Sequence, residues 1–171
     1  MALVELRRGM VEGMQIQPRW PARRLRIDPQ ALQALLQVQA GLPEPLRMIV
    51  TRGYEPASAS LGKARTIFRA LGVLAFSVLY RSRRHEIADI FGANGHDIDG
   101  THVDVSIRLA GRRVRLLPLG VFTPPWLQQR RQQKFAPALR AVRLELRRAG
   151  FTLHRNHTER AQMHCDLRAP T

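Results

Sequence analysis

Apolar residues recur in two rhythms along this chain, and the changes of rhythm mark its elements. Asp28-Pro29 opens a helical stretch, with a carboxylate suited to capping free N–H groups and a proline suited to the first helical position. Leu32, Leu35, Leu36 and Gln39 mark one face, and Gly41 ends it. Leu42-Pro43-Glu44-Pro45 is a stiff connector into Leu46 to Thr51, a short buried strand that runs into a turn at Arg52-Gly53-Tyr54-Glu55-Pro56. Ser60 to Leu71 reads as a helix. Val73 to Tyr80 is largely apolar and fits either a second helix or a strand, because such a run carries no decisive period. Arg83 to Phe91 reads as helical, with His85 on a solvated face.

From Gly100 the period drops to two. His102 and Asp104 fall on one face of a strand, Val103 and Val105 on the other. Val103 to Leu109 and Arg112 to Leu117 read as two strands joined by a tight turn at Ala110-Gly111. Helical spacing returns after Thr123-Pro124-Pro125-Trp126. Phe135, Leu139, Val142 and Leu146 form a stripe, Arg140, Arg143 and Arg147 lie off it, and Gly150 closes it. Phe151 to His154 and Gln162 to Leu167 read as the last strands. In residues 1–27 Gly, Pro and Arg interrupt every apolar pattern, and this stretch reads as an irregular arm. The expectation is an α+β fold: a mostly antiparallel sheet flanked by helices, in one domain over residues 28–171.

Composition narrows this further. At 171 residues and 44% apolar content, one domain with a substantial core is expected. The single cysteine, Cys165, excludes an intramolecular disulfide framework and cysteine-based zinc modules. The net charge of +15 comes almost wholly from arginine, since lysine occurs only at Lys63 and Lys134. Such a balance suits nucleic acid, anionic wall polymers or acidic lipids. The arginines are spread along the chain, which fits a solvated basic surface equally well. Leu71 to Tyr80, the longest apolar run, is too short to span a bilayer. The first residues show no basic segment followed by an apolar one, so a cytoplasmic chain is expected.

Candidate chemistry concentrates between Asn94 and Ser106, where His96, Asp97, Asp99, His102 and Asp104 lie close in sequence. Imidazole nitrogen with carboxylate oxygen is the usual donor set of a catalytic zinc. The same residues also fit a Gly/Asp/Asn turn leading into a half-buried strand.

The order of motifs resembles the zinc D-alanyl-D-alanine carboxypeptidases and dipeptidases and their endolysin and hedgehog-like relatives. That family has a strand ending in a Gly-Tyr-Arg turn, a Ser-x-His-x-x-Gly-x-Ala-x-Asp segment, and a helix leading through Gly-Phe to a final Glu-x-x-His strand. Thr51 to Pro56, Asn94 to Asp104, Ala149-Gly150-Phe151 and Ala161 to Asp166 look like these parts in turn, over roughly residues 45–168. The resemblance implies a zinc held by His96, Asp104 and His164, with the fourth position left for water. His96 and Asp104 stand one residue further apart than the pattern, and His102 occupies the family's Ala position, so His102 is an alternative ligand or a substrate contact. Ala161 stands where the family has its general-base Glu. Glu159 and Asp166 are the candidate bases, with Glu159 on the side from which the family's base approaches. Glu55 replaces the turn's Arg, leaving Arg52, with Tyr54, beside a substrate carboxylate.

The implied function is zinc-dependent hydrolysis of cell-wall peptides that contain D-amino acids, on a cytoplasmic fragment or after release by lysis. Two alternatives use the same fold. One is a basic protein that holds nucleic acid or another polyanion without sequence preference, since Trp20, Trp126 and Tyr54 lie on separate segments and offer little stacking. The other is a metal-binding pseudoenzyme. His154 and His157 add imidazoles near the last strands, His154 facing either the site or solvent and His157 in a loop.

Overall fold

The computed structural model describes residues 2–20, 22–54, 63–87, 99–116, 118, 122–154 and 163–167. Its elements are of mixed α+β type. Strands β1 (Val4–Arg7), β2 (Gly9–Val11), β3 (Met14–Ile16) and β4 (Arg24–Ile27) precede helix α1 (Pro29–Gly41) and strand β5 (Leu46–Arg52). Helix α2 (Lys63–Leu79) and a 3-10 turn (Arg81–Glu86) follow. Then come β6 (His102–Leu109), β7 (Arg112–Arg113), α3 (Pro125–Lys134), α4 (Ala136–Arg148), β8 (Phe151–Leu153) and β9 (Met163–Leu167).

The main sheet runs β2-β3-β5-β6-β9-β8, with β7 also paired to β6, while β1 and β4 form a separate antiparallel ribbon. Among the described strands of the main sheet only β3 and β5 pair in parallel, joined through the crossover that contains α1. The first 27 residues are therefore no irregular arm. Two of their strands extend the main sheet, and Gln17 and Arg19 carry the edge onward by donating N–H groups to Val50 O and Thr51 O. Short strands broken by Gly and by turns show no readable alternation, which is why the pattern hid them. The run from Val73 is not a separate element either; it continues α2 without a break. The strand expected from Arg112 to Leu117 is only two residues long, although Val114 N–H still bonds Ile107 O.

The period of two sorts the sheet into faces. Val103, Val105 and Ile107 of β6 are buried beside Met48 and Val50 of β5 and Met163 and Cys165 of β9. They form one cluster with Leu35 and Val38 of α1 and with Leu139, Val142 and Leu146 of α4. These helix residues recur at three- and four-residue steps, so each helix lays a single apolar stripe on the sheet. The opposite face receives His102, Asp104 and Ser106 from β6 and His164 and Asp166 from β9.

Two close approaches place the start of β6 and the end of β5. Gly100 has φ +83°, and its carbonyl accepts Asp28 N–H at 3.0 Å, so β6 begins against the cap of α1. Gly53 lies so near β4 that an added Cβ would meet Arg26 O at 2.4 Å. Asp28 itself caps α1, its Oδ1 accepting N–H bonds from Gln30 and Ala31.

Candidate metal centre

Cross-strand register assembles the site. β6 and β9 run antiparallel with His102 opposite Asp166 and Asp104 opposite His164. Thr152 of β8 faces Asp166, and His154 N–H bonds His164 O one step further on. Alternation then brings His102, Asp104, His164, Asp166 and His154 to the same face of three adjacent strands. The turn ahead of β6 is held by Asp99, whose Oδ1 accepts bonds from both Thr101 N and Thr101 Oγ1.

At the centre Asp104 is fully buried and His164 nearly so. His164 Nδ1 lies 2.5 Å from Asp104 Oδ1, and His102 Nε2 lies 3.6 Å from the same oxygen. The other nitrogen of His102, Nδ1, donates to Asp166 Oδ1 at 2.5 Å, and His154 Nε2 donates to Asp166 Oδ2 at 2.5 Å. Burial alone would raise the Asp104 carboxyl, yet hydrogen bonds from His102 and His164 and the charges of His164 and Arg19 hold it well below the usual carboxylate range. The bond to Asp104 raises His102; burial opposes this, and Asp166 reinforces it. Behind the site, burial, with Asp104 and Asp166 nearby, pushes the Cys165 thiol far up.

Two trios present converging donor atoms within 4.8 Å of one another: His102, Asp104 and His164, and, nearer solvent, His102, His154 and Asp166. Either could hold a metal ion. The inner trio's two imidazoles and buried carboxylate are not the all-oxygen set that magnesium or calcium takes.

Of the residues singled out from the sequence, the structure thus brings together His102, Asp104, His164 and Asp166. Arg52 lies on the adjoining strand, paired in register with Asp104, and Tyr54 follows it, half-buried, with its N–H on Arg26 O. His96, Glu159 and His157 lie outside the described residues. Sequence reasoning left His154 undecided, and the β8–β9 register turns it toward the cluster. Arg19 was missed altogether. It sits in a Pro-Arg-Trp stretch with no period, and its N–H bond to Thr51 O, continuing the pairing of β3 with β5, brings its charge within range of Asp104. No family model matches the chain, nor does any curated protein or solved structure compared with it.

Proposed function

We propose that this chain is a zinc-dependent peptidase of the D-alanyl-D-alanine-peptidase and hedgehog-like type, hydrolysing cell-wall peptides that contain D-amino acids. One observation carries the reading: the donor atoms of His102, Asp104 and His164 converge on a buried point of one sheet face. The motif order described above supports the choice of substrate. His102 Nε2, Asp104 Oδ1 and His164 Nδ1 would hold the ion, with His102 serving in place of His96. A zinc ion held there supplies Lewis acidity and an activated water near neutral pH.

The remaining roles belong to the chain's own side chains. Asp166 accepts the Nδ1–H of His102, which would leave the Nε2 lone pair for the ion, and so fixes the tautomer and the ring. Both Asp166 oxygens are engaged, one by each histidine, which favours this positioning role over that of a base. The proton acceptor is then Glu159, which precedes β9. Arg52, with Arg19 close enough to act on Asp104, offers a guanidinium to a substrate carboxylate.

The test is zinc content measured beside release of D-alanine or a dipeptide from wall peptides. Wild type is expected to hold zinc, and His164→Ala and His102→Ala to lose both zinc and turnover, while His96→Ala keeps them. Glu159→Gln should keep zinc and lose about two to four orders of magnitude in turnover. Zinc held without turnover points to the pseudoenzyme. Wild type that takes up no zinc overturns the reading.

A further inference from the structure

Helix α2 shows solvent an apolar face that none of the described residues covers. We propose that this face docks on the surface of an anionic lipid bilayer. Its anchor is on the opposite side. Phe76 is fully buried, with Tyr80 and Phe122 around it, and Tyr80 OH donates to Phe122 O at 2.6 Å. Ile67, Ala70, Leu71, Leu74, Ala75, Val78 and Leu79 are all exposed, and the five large ones among them are between 55% and 67% accessible.

At 3.6 residues per turn these seven positions span about 180° of the helix, centred about 150° from Phe76. A narrow seam one residue wide would suit a second helix, as in a coiled coil. A face half the helix wide suits a flat apolar layer. An exposed apolar face of this breadth on a soluble surface marks an interaction site.

Charge selects the occupant. From Leu71 to His85 the chain carries Arg81, Arg83 and Arg84 and no Asp or Glu, with Glu86 next. Arg81 and Arg84 are exposed just beyond the apolar face. A second copy of the chain would bring another such set of cations against the first, on a molecule of net charge +15. An anionic lipid surface offers apolar depth and negative charge together. The helix lies on the bilayer in this proposal, since no helix among the described residues is long and apolar enough to cross one.

The experiment is co-sedimentation of the full chain with vesicles of phosphatidylcholine, with and without phosphatidylglycerol. Wild type should pellet with the anionic vesicles and bind the neutral ones at least about tenfold more weakly, the basic residues adding attraction. Leu71→Gln/Leu74→Gln removes mostly exposed apolar surface, so the fold should persist by circular dichroism, while anionic-vesicle binding falls about tenfold or more. The proposal is overturned if wild type stays in the supernatant, or if the double variant pellets as well as wild type. It is equally overturned if sedimentation equilibrium shows a dimer that the double variant dissolves, since a second copy then covers the face. His164→Ala should pellet like wild type, which keeps this outcome separate from the fate of the zinc reading.

Discussion

At the scale of single residues the site is a set of charges that need one another. His102 sits between two carboxylates, Asp104 and Asp166, with His164 and His154 beyond them. Its raised pKa means its protonation stabilises the fold fully below the ordinary imidazole value of 6.5, and that stabilisation is lost as pH rises through the folded value. Asp104 works in the other direction. Its lowered pKa contributes stability above the ordinary carboxyl value of 3.8, lost as pH falls toward the folded value. Calorimetry in chelator should therefore show the highest melting temperature between these windows, with a decline above about pH 6.5. His102→Gln should flatten that alkaline decline; an unaltered decline would place it on another group. Cys165 gives a second expectation. Burial and two nearby carboxylates keep its thiol protonated. A thiol reagent at pH 8 should leave the folded protein unlabelled and label it fully in denaturant, and rapid labelling of the folded chain would contradict the buried placement.

At the scale of elements, the site depends on where β5 and β6 begin and end. Asp28 secures both α1 and the entry to β6, through its cap bonds and its N–H bond to Gly100 O. Asp28→Ala is expected to cost about 0.5–2 kcal/mol in urea denaturation. Gly53→Ala should cost more than a lost cap. Its Cβ would stand 2.4 Å from Arg26 O and 2.9 Å from the Ile27 side chain, so β4 and β5 must part. A Gly53→Ala protein as stable as wild type would mean that the two strands are not held this closely. The decisive element is the β6–β9 ladder, since a one-residue slip would send His164 and Asp166 into the core and Met163 and Cys165 outward.

For the whole molecule the strongest expectation is linkage between metal and folding. Zinc that binds only the folded chain raises stability by mass action, about 2.7 kcal/mol at a hundredfold excess over Kd. Thermal melts should rise with zinc and hardly at all with magnesium, which avoids imidazole donors. His164→Ala should abolish the zinc response. It should also melt lower without any metal, because it leaves the buried Asp104 charge without its nearest imidazole. Equal shifts for wild type and His164→Ala would move the zinc elsewhere on the chain.

What the sequence determined by itself is what local physics encodes. The Asp28-Pro29 start of α1, the stripe of Leu139, Val142 and Leu146, and the alternation of β6 all stand as expected, because a cap, a 3.6-residue period and a two-residue period are each written in consecutive residues. The alternation even placed Asp104 and His102 on one face, and the β6–β9 pairing then set His164 against Asp104. The rest needed partners distant in sequence. The four short strands between Val4 and Ile27 formed only by pairing, the charge of Arg19 came within range of Asp104 only through its bond to Thr51, and His154 met Asp166 only through the β8–β9 register. Hydrogen-bond partners across a sheet leave no mark in either strand's own pattern. The tertiary fold alone decided which imidazoles share a carboxylate.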